Sequence, residues 1–431
     1  MTFADTVRFL FSLGHELKVV KWDLERMRVL LGALGEPHLQ GRFVHVAGTN
    51  GKGSTCAMIE SALRADGLRT GLYTSPHLVN PRERIVIDGQ TISEDAWVSV
   101  FGDVHGAAER LLAAEAIDAH PSFFETATAM AFLAFAREGV AVTVLETGLG
   151  GRLDATNVVE HPEVTVITPI DFDHEAFLGS SIELIAAEKA GILKAGSPAV
   201  FSAQRPEALR VLENRALDLD VAVRHSAAWR VEVLERDRYG SRFTLAADEE
   251  IPSVCPLAGA HQVENARTAV AALSLLGVPA AAIRAGIAAV RWPGRLEHVQ
   301  AHPDVILDGA HNPAGARALA DYIGEFFAGE PVRIIFGAMR DKAVDEVTNT
   351  LFPLAKEIIL TAPDQPRALN PRALAEMATQ LEGTVVRVAD SVSAALELAA
   401  ELDRGSAMTT FVTGSLFMVG EARNCLAVNG G

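Results

Sequence analysis

Gly48-Thr49-Asn50-Gly51-Lys52-Gly53-Ser54 sets a lysine and a hydroxyl into a glycine-rich run. Glycines let backbone N–H groups approach phosphate oxygens, a following helix adds partial positive charge, and a lysine can hold the β- and γ-phosphates of a nucleotide. The run departs from the GxxxxGK[ST] pattern: Gly53 separates Lys52 from Ser54, and Gly48 precedes Gly51 by only three positions. An ordinary Gly-rich turn is the plain alternative, but strand, lysine and helix in this order favour nucleotide binding. Glu146 closes a β-rich run, where a Mg²⁺-anchoring acid would stand, because Mg²⁺ takes oxygen ligands and keeps several waters. A glutamate that merely caps its loop is the alternative there. His174 follows Asp173 at the end of another run; taken alone, such a histidine is more often structural than a ligand. Gly148, Gly150 and Gly151 suggest a dinucleotide fingerprint, but Leu153 stands where GxGxxG needs glycine. A nicotinamide-dependent oxidoreductase is therefore disfavoured.

These residues need elements to hold them. Arg42–Ala47 reads as a strand that ends at the glycine run, with a helix expected from about Thr55. Gly67 sits where its C-terminal cap belongs. Arg69–Thr74 runs into Ser75-Pro76-His77, Ala141–Leu145 into Glu146, and Val164–Pro169 into Asp171-Phe172-Asp173-His174. Short apolar runs alternating with helical patterns imply βα units and a mostly parallel sheet. Such sheets gather ligands beyond the carboxyl ends of their strands, so four strand ends converge on one crevice. Residues 220–255 read as a β-rich insertion and Glu264–Val290 as an Ala-rich helical stretch. A break falls at Arg291-Trp292-Pro293-Gly294-Arg295. After it come Val305–Leu307, Val332–Phe336, Glu357–Leu360, Thr384–Val388 and Thr410–Thr413, the strands of a smaller, Rossmann-like α/β domain. The expected division is an N-terminal ATP-binding domain, 1–292, of P-loop type, and a C-terminal domain, 295–431.

The chain has 431 residues, enough for two to four domains, with 49% apolar and 22% charged residues, which excludes a disordered chain. A net charge of −17 argues against general nucleic-acid binding and against docking on an anionic membrane. Cys56, Cys255 and Cys425 form no CxxC pair and fit a reducing cytosol. Asp5 stands where a signal peptide would be basic. The longest apolar stretch found, Ala129–Ala136, is too short to cross a bilayer.

VAGTNGKGS (46–54), YTSPHLVNPRERI (73–85), ETGLGGRLDATN (146–157), DHEAFLG (173–179), EKAGILK (188–194), HQVENA (261–266), WPGRLE (292–297), LDGAHNP (307–313) and TGSLFMVGE (413–421) occur in this order. Together they resemble folylpolyglutamate synthase/dihydrofolate synthase of the Mur ligase superfamily, over almost the whole chain. The resemblance implies that Thr49, Asn50, Gly51, Lys52, Gly53 and Ser54 hold ATP phosphates. Asn265 and Arg295 match nucleotide contacts, and Asp308 and His311 match groups on the ribose and phosphate side. Ser75 and Glu146 match ligands of a first Mg²⁺, and His174 of a second. Lys189 matches a lysine that becomes carbamylated, which turns an ammonium into an anionic oxygen donor. Phe123, Phe124, Glu125, Leu153, Asp154 and Ala155 match positions on the pterin and folate side, and Trp22–Arg28 a loop near it. Arg82, Arg84 and Arg152 are candidates for binding carboxylates, by the fit of a guanidinium fork, with solvated surface arginines as the equal alternative.

The activity implied is an ATP-dependent amide ligase that joins L-glutamate to dihydropteroate or a reduced folate through an acyl phosphate. Lys52, His174 and Lys189 are its catalytic residues, and two Mg²⁺ ions and ATP its cofactors. A monomeric cytoplasmic enzyme is the expectation. The rivals are a cell-wall amino-acid ligase of the same superfamily and a nucleotide-binding switch without chemistry.

Overall fold

The computed structural model describes residues 1–14, 24–247, 249–301, 303–378, 383–404 and 408–429, with side chains to residue 426. Two sheets organise it. The larger has eight strands: β1 (Arg42–Ala47), β2 (Thr70–Tyr73), β3 (Ile85–Ile87), β4 (Gln90–Thr91), β5 (Val142–Glu146), β6 (Val164–Ile167), β7 (Ala199–Phe201) and β8 (Val223–His225). Their order is β4-β3-β2-β5-β1-β6-β7-β8. The pairings from β2 to β8 are parallel, and β3 and β4 add antiparallel strands at one edge.

Alternation along β1 divides the core. Val44 and Val46 face one side with Val142, Val144, Val164 and Val166, whereas Phe43, His45 and Ala47 face the other. The helices, in chain order, are α1 (Phe3–Ser12), α2 (Glu25–Ala33), α3 (Lys52–Ala65), α4 (Glu94–Ala113), α5 (Phe123–Arg137), α6 (Glu175–Leu178), α7 (Ile182–Ala190), α8 (Pro206–Asp218), α9 (Ala260–Leu275) and α10 (Ala280–Ala289). The valine face takes α3, α9 and α10 together with an antiparallel three-stranded sheet, β9 (Arg230–Arg236), β10 (Ser241–Ala246) and β11 (Glu250–Cys255). The opposite face takes α1, α2, α4 and α5 over one half and α7 and α8 over the other. Burial on both faces explains why these strands read as continuous apolar runs.

The second sheet has the order β12-β13-β17-β14-β15-β16, from β12 (Glu297–Gln300), β13 (Val305–Leu307), β14 (Val332–Phe336), β15 (Glu357–Leu360), β16 (Val385–Val388) and β17 (Thr409–Thr413). It is parallel except at β12. One face packs on α11 (Pro313–Phe326), α12 (Val344–Leu351) and α13 (Pro371–Met377), the other on α14 (Val392–Asp403) and α15 (Leu416–Asn429).

The expected mostly parallel α/β architecture is present. Local bounds differ in ways that have physical causes. The helix after the glycine run starts at Lys52 rather than Thr55, because left-handed Gly51 (φ 81°) serves as its N-cap. The helical stretch expected over 264–290 divides into α9 and α10, since Gly277-Val278-Pro279 ends the first and starts the second. Residues 223–225 join the large sheet as an edge strand, so only β9–β11 form a separate β-layer. Among the described residues, no helix is long and apolar enough to cross a membrane.

Candidate active site

The carboxyl ends of β1, β2, β5 and β6 open on a cleft of about 1140 Å³, and the carboxyl ends of β13, β14 and β17 face it from the other sheet. Glycines shape its floor. A Cβ on Gly48 would lie 1.9 Å from Thr168 Oγ1, and one on Gly51 2.3 Å from Asn265 Oδ1. A Cβ on Gly53 would lie 2.7 Å from the Trp292 ring. The loop is anchored before any ligand is considered. The N–H groups of Thr49 and Asn50 both donate to the Pro169 carbonyl, at 2.9 and 3.2 Å. The Thr49 hydroxyl donates to the Asp171 carbonyl at 3.0 Å. Lys52, Gly53 and Ser54 form the first turn of α3, where unpaired N–H groups and the helix dipole favour an anion. Gln262 Nε2 reaches Ser54 Oγ at 3.3 Å, and Asn265 Nδ2 donates to Gln262 Oε1 at 3.0 Å, so α9 braces that turn.

Glu146 ends β5 inside the cleft, where Ser75 N–H donates to its Oε2 at 3.1 Å. Burial pushes its carboxyl pKa up, with the nearby Lys52 charge opposing. Lys189, on α7, is 4% exposed and donates through Nζ to the Gly48 carbonyl at 2.8 Å. Burial, aided by the Lys52 charge, lowers its pKa to about 7. A large fraction of this amine is therefore neutral at neutral pH.

Asp173 and His174 meet side chains from the second sheet. Lys342 Nζ lies 2.5 Å from Asp173 Oδ1 and 3.3 Å from His174 Nε2. Asn312 Nδ2 donates to Asp173 Oδ2 at 3.2 Å and to Asn50 Oδ1 at 3.0 Å. His311 Nε2 is 3.4 Å from Asp173 Oδ2. Burial works against the Asp173 carboxylate, yet His311, Lys342 and His174 hold it well below the usual carboxylate range. Burial and the Lys342 ammonium push His174 down to about 3, so its ring is a neutral donor of electron pairs at neutral pH. Arg295 and Asp308 also line the cleft. Asp308 accepts the N–H groups of Leu296 and Ala310, each at 3.0 Å, and so fixes the turn that carries His311.

The positions on the pterin and folate side fall in the same cleft with one exception. Phe123, the first residue of α5, is 2% exposed, and Phe124 covers Gly148, where a Cβ would meet its ring at 2.5 Å. Glu125 completes a capping box with Ser122 and lies 3.5 Å from Arg26. Asp154 accepts from the N–H groups of Gly148 and Leu149, both at 2.9 Å, and from Thr156 N–H at 3.0 Å. Asp154 thereby shapes the glycine-rich turn, with Leu153 and Ala155 beside it. Arg152 stands apart: it pairs with Glu188 at 2.9 Å and lines a neighbouring cavity of about 240 Å³. Of the other arginines, Arg84 lines the cleft, whereas Arg82 donates to the Ile92 carbonyl at 3.1 Å. Trp22 and Asp23 lie outside the described residues.

Sequence reasoning passed over Asn312 and Lys342. Both had a signal: Asn312 stands beside His311 in LDGAHNP, and Lys342 closes the turn Gly337-Ala-Met-Arg-Asp-Lys after β14.

Residues 46–273 match the Mur ligase middle domain, and residues 294–416 the Mur ligase glutamate ligase domain. The chain is 37% identical to the dihydrofolate synthase/folylpolyglutamate synthase of Bacillus subtilis, over 94% of this chain and 95% of that one. Mycobacterium tuberculosis folylpolyglutamate synthase complexed with ADP superposes with a TM-score of 0.91 at 36% identity, covering 98% of each chain. Escherichia coli FolC in complex with DHPP and ADP gives 0.88 at 30% identity, covering 100% of this chain and 99% of that one.

Proposed function

Because the chain belongs to the folylpolyglutamate synthase/dihydrofolate synthase family of Mur ligases, we propose that its cleft joins L-glutamate to dihydropteroate, to a reduced folate, or to both, at the expense of ATP. The enzyme class is an acid–amino-acid ligase, and the family's nucleotide and folate chemistry is its own. The observation that carries the reading is the meeting, in one cleft, of the anchored glycine loop, Glu146, His174 and Lys189 with His311 and Asn312 from the second sheet. A nucleotide switch needs only the loop and an acid.

The acceptor carboxylate attacks the γ-phosphorus of ATP, forming an acyl phosphate and releasing ADP. The glutamate amine, free of its proton, then attacks the acyl carbon, and inorganic phosphate leaves as the amide forms. Lys52 and the first turn of α3 neutralise charge on the transferred group, which is most of what phosphoryl transfer requires. Asn265 and Arg295 hold the nucleotide, with Asp308 and His311 on its ribose and phosphate side. Phe124, Leu153 and Ala155 offer an apolar wall for the acceptor ring, while Asp154 holds the turn behind it.

Ser75 and Glu146 suit a first Mg²⁺, since a carboxylate this buried stays ionised only with cationic help. His174 and Lys189 suit a second once Lys189 carries CO₂; its neutral amine adds to CO₂, forming an N–C bond and releasing a proton. When bound, the ions supply Lewis-acid stabilisation of the phosphoryl oxygens. We divide the chain into two domains at residues 293–294, which close on the nucleotide and keep water from the acyl phosphate. The unpaired Cys56, Cys255 and Cys425 accord with a reducing cytoplasm, and the active unit is taken as a monomer.

The test is phosphate release from MgATP and L-glutamate with 7,8-dihydropteroate or tetrahydrofolate, with Lys52→Ala as control. Release with one acceptor assigns one activity, and release with both assigns a bifunctional enzyme. ADP binding with no release for either acceptor would overturn the folate assignment.

A further inference from the structure

We propose that His105, Glu109 and His120 form a separate site for a zinc-class divalent cation. None of the three lines the nucleotide cleft. His105 and Glu109 stand one turn apart on α4, and His120 lies in the loop that leads into α5. His105 Nδ1 and His120 Nε2 each lie 3.9 Å from the same Glu109 Oε1, and one ligand atom from each residue falls within 4.8 Å of the others.

Two further observations point to a ligand. Both ring nitrogens, His105 Nδ1 and His120 Nε2, are sealed from solvent and have no hydrogen-bond partner among the described residues. Such orphaned buried polar atoms are uncommon and call for a partner. The second observation is tautomeric. His120 Nδ1 lies 2.9 Å from the Pro121 carbonyl, so its N–H donates there and the lone pair of Nε2 is left facing Glu109. Metal-ligating histidines are commonly fixed in this way, through a carbonyl on the far nitrogen.

The rings are also held in place. His105 stacks on Phe101 at 5.5 Å and 14°, and Phe9 stands edge-on to His105 at 4.5 Å and to His120 at 5.4 Å. Tetrahedral zinc with bonds of about 2.0–2.1 Å needs ligand atoms about 3.4 Å apart. The side chain of Glu109 is 57% exposed, so its rotation can bring its oxygen from 3.9 Å to that separation from each imidazole, and a shift of the loop that carries His120 closes the rest of the gap between the two rings, whose ligand atoms lie within 4.8 Å. Two imidazoles and one carboxylate select Zn²⁺, Co²⁺ or Ni²⁺ over Mg²⁺, and water completes the shell. An occupied site would staple α4 to the segment ending at Ser122, the N-cap of α5, directly before Phe123, Phe124 and Glu125.

The experiment uses the full chain stripped by a chelator and titrated with CoCl₂ under excess Mg²⁺. The readout is ligand-field absorption, with anomalous diffraction to locate the ion. The expected result is one equivalent of absorbing Co²⁺ between the three side chains, with Glu109→Gln and His120→Ala each weakening it by about tenfold or more. Glu109→Gln is an exposed, nearly isosteric change, so its result does not depend on a refolded helix. Absorption and affinity unchanged in both variants, or an anomalous peak only in the nucleotide cleft, would overturn the proposal.

Discussion

The ammonium of Lys342 lies 3.3 Å from Nε2 of His174, so a cation from the second sheet stands beside the nitrogen proposed to bind metal. The same ammonium is 2.5 Å from Asp173, which Asn312 and His311 also approach. A metal at His174 and Lys342 would compete for one place, and the domain closure proposed above would decide between them.

Lys342→Met removes that cation. The expected outcome is a larger radius of gyration without nucleotide, measured by X-ray scattering, because one strand of the contact between the sheets is lost. The titration of His174, now near 3, moves upward in a histidine NMR titration, since the ammonium no longer opposes its protonation. An unchanged radius and an unchanged titration would show that Lys342 is not a latch.

Lys189→Arg keeps a cation but cannot form the carbamate. Turnover is expected to fall about a hundredfold or more, by loss of electrostatic help at the phosphoryl group. The wild-type protein in ¹³C-bicarbonate gives a carbamate carbon signal that the variant lacks. With an amine pKa of about 7, that signal grows between pH 6 and 8 at fixed dissolved CO₂. Its absence from the wild-type protein would remove Lys189 from the ligand set.

Gly51→Ala places a side chain at φ 81°, against Asn265 Oδ1 at 2.3 Å. The left-handed backbone alone costs about 1–2 kcal/mol, and Asn265 must also move. ADP affinity measured by calorimetry is expected to fall about tenfold or more. Wild-type affinity would mean that the loop reshapes on binding.

Asp154→Asn turns one acceptor oxygen into a donor facing N–H groups of its own chain. The expected loss is about 2 kcal/mol in urea unfolding. A higher KM for the pterin acceptor and an unaltered KM for ATP should accompany it. Full stability with lost activity would instead make Asp154 a direct substrate contact.

His45 is fully buried, and burial holds its pKa at about 3 against the usual 6.5. Below pH 6.5 the unfolded chain takes up a proton that the folded chain refuses. Stability therefore falls as pH drops from 6.5 toward 3, by about 1.4 kcal/mol per pH unit for this group. His45→Phe should lower the slope of the urea-unfolding free energy against pH by about this amount between pH 6.5 and 5; an equally steep profile would assign the loss to other groups.

The glycine loop, the strand-end acid and the order of βα units were legible because each is local. Periodicity marks the buried strands, and glycine spacing marks a backbone that must approach a ligand. The edge strand β12 and the hairpin β3–β4 were not legible, since very short antiparallel strands carry almost no pattern. Arg152 was read as a carboxylate binder by its type, but its neighbour Glu188 is supplied by α7, 36 residues away.

The amino-acid order by itself determined which residue types close each strand, and through them the family and its chemistry. Only the tertiary structure decided which of these residues meet. Asn312 bonds Asn50 across 262 positions, and Lys342 reaches His174 across 168. Contacts of that span depend on how two sheets pack together, and no spacing along the chain encodes them. The lowered pKa of Lys189 has the same origin: a lysine in a helical pattern reads as solvated until the fold encloses it beside Lys52.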